Sequence, residues 1–368
     1  MSEAEATRGW WTRVLAGADG NLSVGASDEQ YVVLPSSSSP RVAVDRSEPR
    51  AVRDAMERMA ASRTTSGAVR AIVGGASSLV TRKKPTWTVG AGSSGATLRQ
   101  HLCNALDTDL RISVSVGPPR PNRKPVIRCY DETGVFAVAK LGLEPHTAAM
   151  VRNEAAWLQQ LSGEPLADIV TAPVLYAGDF DGNPLLVMGA LDLASDLGLS
   201  LGDVPLTVAQ AFSDRHLGQD TVGTSTWWRE LSTRIDPEAG VDAHLAAIAA
   251  TPAFADVRVS AWHGDWSPWN MGWSRSDELC IWDWERTTTG VPVGFDLCHL
   301  HYQYGDGLDG ADTDLEALGV SPDLLATTKQ LYLLELCARH SEAQALSTQR
   351  HAQVVSALNS LRPVRSMS

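Results

Sequence analysis

Cysteine is scarce in this chain of 368 residues: Cys103, Cys129, Cys280, Cys298 and Cys337 are odd in number, widely spaced and form no C-x-x-C pair. That excludes a disulfide framework and a structural zinc site of the usual spacing, and the thiols read as reduced and mostly buried. Long apolar runs are lacking too. No stretch of about 18 apolar residues occurs, so nothing here is expected to span a bilayer. The opening MSEAEATRGWWTRVLAG is acidic before it is apolar and lacks the core of a secretory signal, so a cytoplasmic location is the default expectation. No internal repeat of solenoid or propeller period is found. Positive charge is missing from one half: the net charge is −12, with residues 1–190 near neutral at +1 and residues 191–368 at −13. Such a balance argues against nucleic acid as a partner, because phosphate backbones attract basic surfaces. It suits either a cationic ligand or plain solubility.

What is present divides the chain into three stretches. Residues 1–96 carry no chemical motif. Two short strands are expected at 31–34 and 41–44, joined by the turn-rich Pro35-Ser-Ser-Ser-Ser-Pro40. A helix should start at Ser47-Glu48-Pro49, with a hydroxyl cap and proline in its first turn, and bury Val52, Ala55, Met56 and Met59. A weaker apolar segment at 68–80 and a Gly/Ser link at 90–95 follow. From residue 97 to 190 the pattern is a helix at 98–105 and strands at 111–116, 126–130 and 135–140, with a hairpin turn at Asp131-Glu-Thr-Gly134. A helix from Glu144-Pro145 to about 161 and strands at 174–177 and 185–188 complete that stretch. Residues 191–368 are mainly helical, apart from short extended segments near 257–261 and 279–282. The expectation is an α+β chain with a small antiparallel sheet and a helical remainder, two lobes behind an amino-terminal extension.

The chemistry concentrates in Trp262-His263-Gly264-Asp265-Trp266-Ser267-Pro268-Trp269-Asn270, followed by Ile281-Trp282-Asp283-Trp284-Glu285. Transfer of a phosphoryl group from ATP needs a carboxylate beside the acceptor hydroxyl and hard oxygen ligands for magnesium. Asp265 is the candidate base, Asn270 lies five residues on, and Asp283 is placed for a hairpin to return it beside Asn270. The six tryptophans between 262 and 284 read either as packing around this loop or as an aromatic floor for a substrate.

The H-G-D-x-x-P-x-N segment followed by D-W-E resembles the aminoglycoside phosphotransferase and choline kinase family, which has a protein-kinase-like fold with H-G-D in place of H-R-D. The resemblance implies that Asp265 is the catalytic base, that Asn270 and Asp283 bind magnesium, and that His263 is a structural member of the loop. Gly290-Val-Pro292-Val-Gly-Phe-Asp296-Leu resembles the family's G-x-P-x-x-D stretch, whose aspartate braces the loop, so Asp296 takes that part.

Upstream, Val135-Phe-Ala-Val-Ala-Lys140 alternates as a half-buried strand and ends in lysine, and Val151-Arg-Asn-Glu154-Ala-Ala-Trp-Leu resembles the family's R-x-E-A-A-x-L helix. A kinase uses such a lysine on the α- and β-phosphates and such a glutamate to orient it. The loop Gly117-Pro-Pro-Arg120-Pro-Asn-Arg123-Lys124-Pro125 is not glycine-rich, and its basic groups, Arg123 among them, either touch phosphates or form a stiff turn. Adenine is expected against the connection at 188–191, held by backbone groups of Met188 and Ala190. The histidines supply no convincing zinc set, His299-x-His301 being the one close pair. The expected activity is therefore ATP- and Mg2+-dependent transfer of the γ-phosphate to a hydroxyl of a small molecule of aminoglycoside, sugar or amino-alcohol type, and no membrane partner is expected. The alternatives are a kinase of peptidyl Ser or Thr, with residues 1–96 holding a leader peptide, and a nucleotide-binding pseudokinase module.

Overall fold

The computed structural model describes residues 3–23, 29–37, 39–61, 86–92, 95–117, 122–166, 169–195, 198–305 and 307–361. The apolar segment at 68–80 and Arg120 of the basic loop lie outside them. The chain divides into two compact units, residues 1–155 with 172–190, and residues 156–171 with 191–368.

In the first unit one antiparallel sheet of nine strands runs in the order β1-β4-β2-β3-β5-β6-β7-β10-β9. Its members are β1 (Asn21–Ser23), β2 (Gln30–Pro35), β3 (Pro40–Asp45), β4 (Thr86–Gly90), β5 (Arg111–Val116), β6 (Pro125–Tyr130), β7 (Val135–Leu141), β9 (Val174–Phe180) and β10 (Asn183–Gly189). The strands before residue 97 thus share one sheet with those that follow, joined where β3 pairs β5 at Val42↔Ser115. The β6–β7 turn forms because Asp131 Oδ1 accepts from the Thr133 and Gly134 backbone N–H groups, a side-chain mimic of a backbone turn. One sheet face buries Ile112, Val114, Ile127, Cys129, Ala137, Ala139 and Leu141 against Trp11, Trp87, Leu98 and Leu102.

Two of those partners belong to elements that periodicity does not mark. The helix Glu3–Ala16 is interrupted by Gly9 and two tryptophans, yet Trp11, Val14 and Leu15 are fully buried. Strand β4 bridges β1 and β2. The helix Pro49–Ala61 begins as expected, but the capping acceptor differs: Glu48 Oε1, not the Ser47 hydroxyl, takes the Arg50 N–H at 3.0 Å. Ser47 Oγ is drawn away to Asp45 Oδ1 at 2.6 Å. The side chains of Met56 and Met59 are outside what is described.

The second unit is mainly helical, with β8 (Ile169–Val170), β11 (Val259–Trp262), β12 (Met271–Trp273), β13 (Leu279–Ile281) and β14 (Thr288–Pro292). Strand β11 pairs β14, while β12, β13 and β8 form a three-stranded sheet. The helices Phe295–Tyr304 and Pro322–Glu342 bear on the loop between β11 and β12, the second burying a run from Thr327 to Ala338. Among the described residues, no helix is long and apolar enough to cross a membrane.

Candidate active site

In the first unit the alternation of β7 turns Lys140 to the sheet face opposite Ala139 and Leu141, where it is nevertheless only 8% exposed, and Glu154 on the helix Pro145–Gly163 is 1% exposed. Lys140 Nζ donates to both Glu154 oxygens, at 2.7 and 2.6 Å. Burial of two charges is tolerated because each is the other's partner. Gly142 allows the helix to start close to the strand: a Cβ there would lie 2.5 Å from Ala148 Cα. Met188 pairs with Val138 of β7 and is buried. The Ala190 N–H donates to Phe136 O at 2.9 Å, so this N–H is committed within the unit. Arg123 sits with its guanidinium 5.0 Å from the Trp10 ring centre, a cation–π contact that ties the basic loop to the first helix. Among the described residues its buried Nε has no hydrogen-bond partner.

In the second unit the loop leaving β11 turns sharply at Gly264, whose φ is +85° and where a Cβ would lie 2.4 Å from Arg286 O. Only glycine meets both demands. The Asp296 carboxylate, at the start of the helix Phe295–Tyr304, accepts the N–H of His263 at 2.7 Å and of Gly264 at 3.1 Å. Burial raises this carboxyl to about 7, against the pull of those two N–H groups. Arg339 closes the turn from the other side by donating to Gly264 O at 2.6 Å, with its guanidinium 4.3 Å over Trp262.

His263 is fully buried and has both ring nitrogens engaged. Nδ1 receives the Asp265 N–H at 3.3 Å, which leaves Nε2 to donate to Trp282 O at 3.1 Å. A second proton would set N–H against N–H, and burial lowers this imidazole to about 4. It is a neutral strut between the loop and the strand that leads to Asp283.

Asp265 and Asn270 are together: Asn270 Nδ2 donates to Asp265 O at 3.0 Å and to Asp265 Oδ2 at 3.1 Å. Anchored by its nitrogen, the amide presents Oδ1, which takes no hydrogen bond among the described residues. The hairpin register Met271↔Ile281, with the Trp282 N–H donating to Asn270 O at 3.1 Å, brings Asp283 alongside. Asp283 adopts the left-handed conformation, φ +71°, which Asp tolerates better than most side chains. Burial works to raise the Asp265 carboxyl, but the opposing contributions, the hydrogen bond from His299 first among them, hold it below its ordinary value. It is a carboxylate at neutral pH.

Three residues of this site carry no motif. His299 and Arg339 reach the loop from helices downstream and Tyr332 backs His299, and the one local signal is that His299 lies three positions after Asp296 on the same helix face. His299 and His301 point to different partners, His301 meeting Asp314 at 2.7 Å. Of the six tryptophans, Trp262, Trp266 and Trp284 are buried packing, whereas Trp269 is 52% exposed and stands edge-on to Tyr304.

No family model matches this chain, and no curated protein matches it. Solved structures of similar fold include the GDP and kanamycin complex of APH(2″)-IIIa, 16% identical, covering 68% of this chain and 92% of that one at TM-score 0.46. Choline kinase LicA from Streptococcus pneumoniae is 16% identical, covering 64% and 89% at TM-score 0.46. A thermostable mutant of the aminoglycoside phosphotransferase APH(4)-Ia, in ternary complex with ADP and hygromycin B, is 13% identical, covering 71% and 98% at TM-score 0.47.

Proposed function

We propose that this chain is a phosphotransferase that moves the γ-phosphate of ATP to a hydroxyl of a small molecule. The observation that carries the reading is the arrangement around Asn270. Its nitrogen donates to Asp265, its oxygen accepts no hydrogen bond among the described residues, and the β12–β13 hairpin returns the backbone at Asp283 next to Asn270. An amide oxygen and a carboxylate are the hard donors that magnesium takes. In this reading Asn270 and Asp283 hold the ion, which when bound neutralises charge on the triphosphate.

Asp265 stands next to that position as a carboxylate. The acceptor oxygen bonds to the γ-phosphorus, the bond from that phosphorus to the β–γ bridging oxygen breaks, ADP departs, and the acceptor's proton passes to Asp265. In a loose transition state the proton leaves late, so a carboxylate of low basicity suffices. Lys140, oriented by Glu154, contacts the α- and β-phosphates. Adenine lies by Met188 and Ala190. Asp296 and His263 keep the loop in shape.

The acceptor is an aminoglycoside, a sugar or an amino alcohol, and the acidic second half of the chain suits a cationic one. The test is ATP-dependent phosphorylation by pure protein across a panel of such compounds with Ser/Thr peptides included, for wild type and Asp265→Asn. The variant should lose at least about a hundredfold in transfer while calorimetry still detects ATP binding. Near-normal turnover by Asp265→Asn rejects the assigned base, and labelled peptides with unlabelled small molecules would move the acceptor to the peptide class.

A further inference from the structure

Asp265 is held by more than its own loop. Its Oδ2 accepts from Asn270, and its Oδ1 lies 3.1 Å from Nε2 of His299, so both oxygens of the carboxylate are tied and its plane is set. His299 is 6% exposed, on the helix Phe295–Tyr304 whose first turn supplies Asp296 to the loop backbone. One helix therefore grips the loop twice, by a carboxylate on the main chain and, one turn later, by an imidazole on the side chain.

The far ring nitrogen decides how the imidazole can act. Nδ1 of His299 lies 3.1 Å from the hydroxyl of Tyr332, a fully buried residue of the helix Pro322–Glu342. A carboxylate can only accept, so Nε2 must carry the hydrogen. In the neutral ring Nδ1 is then a lone pair, and Tyr332 O–H donates to it. The alternative tautomer would point a lone pair at the carboxylate and leave Oδ1 without its donor. Three aromatic edges, from Trp262 at 6.4 Å, Phe295 to Tyr332 at 5.8 Å and Tyr302 to Tyr332 at 6.0 Å, leave the two rings little room to turn.

We infer that His299, locked in its Nε2–H tautomer by Tyr332, is a positioning residue that aims the Asp265 carboxylate at the acceptor oxygen. It rests on the reading of Asp265 as base. The second of three linked groups, an acceptor in one direction and a donor in the other, is a way to fix a carboxylate without adding charge to the site. A buried histidine kept only for packing would need neither partner.

The experiment uses the full chain with His299→Phe, His299→Gln, Tyr332→Phe and Asp265→Asn. Two readouts are taken: side-chain 15N–1H NMR of the histidines, and Mg·ATP turnover with water as the acceptor. NMR of the wild type should report His299 as the Nε2–H tautomer, and Tyr332→Phe should convert it to a mixture. His299→Phe should lower kcat about a hundredfold, the scale of a misplaced reacting group, with KM for ATP changed less than twofold. His299→Gln, which restores an N–H donor, should recover at least tenfold of that loss.

An Nδ1–H tautomer in the wild type overturns the inference, and so does a kcat within threefold of wild type in His299→Phe. Equal loss in the Phe and Gln variants with matched melting temperatures overturns it as well, because packing alone would then explain the effect. If His299→Phe fails to fold, the wild-type and Tyr332→Phe spectra decide by the same criteria. Full turnover in Asp265→Asn sinks the reading of the base, whatever the spectra say; a dead Asp265→Asn with an unaffected His299→Phe sinks this inference alone.

Discussion

Glu154→Leu, Lys140→Met and the double variant test whether the buried pair of the first unit is held by mutual charge. The side chains are 10% and 1% exposed, with Nζ 2.6 Å from the nearer oxygen. At an effective dielectric of about 20 and roughly 3.5 Å between charge centres, the attraction is about 5 kcal/mol. Each charge also lost several kcal/mol of hydration on burial, so the net contribution of the intact pair is small. Either single change removes this attraction from a buried site and should destabilise by about 3–5 kcal/mol, the usual cost of deleting one member of a buried ion pair. The double variant, with two apolar side chains of similar volume, should lose under about 2 kcal/mol. Urea unfolding at constant pH gives the three differences, and native-state hydrogen exchange of β6, β7 and β10 amides assigns them to this sheet. Additive single losses would refute the reasoning, since the two residues would then act independently.

Two further outcomes follow from the loop. His263 has a folded value near 4 against an ordinary 6.5; between those values the unfolded chain binds the proton and the folded one does not, so stability is lost as pH falls through that window, by up to about 3 kcal/mol at pH 4. His263→Phe should flatten the slope of unfolding free energy between pH 7 and pH 4.5, and an unchanged slope would contradict the neutral strut. Gly264→Ala faces a positive φ and a Cβ 2.4 Å from Arg286 O; it should cost about 3 kcal/mol, read as a lower melting temperature. A variant as stable as wild type would show that the turn can relax.

Local signals made much of the architecture readable. The strands β5, β6 and β7 carry period-two alternation and a turn whose aspartate folds back on its own backbone, so their limits are legible to within a residue. Lys140 and Glu154 are legible as a pair because a strand end and a helix face each have a short-range signature. The helix Glu3–Ala16 and strand β4 are not, because neither has an amphipathic pattern of its own; their apolar residues are satisfied only by the sheet face they cover. The acceptor that caps the Pro49–Ala61 helix is Glu48 and not the expected Ser47, since sequence spacing does not tell that this hydroxyl donates to Asp45 and accepts from Arg111.

From sequence alone came the order of chemical groups, Lys140, Glu154, Asp265, Asn270 and Asp283, since spacing along a chain is what a loop or hairpin must close. Tertiary structure decided which groups support them. Asp296 is marked by the resemblance of its G-x-P-x-x-D stretch, but His299 is 34 residues from Asp265, Tyr332 and Arg339 are farther still, and no periodicity links positions so distant. They meet because two helices must bury their apolar faces against the β11–β14 ribbon and the loop beside it, and only that packing turns an imidazole toward one aspartate, a phenol toward that imidazole and a guanidinium toward one glycine.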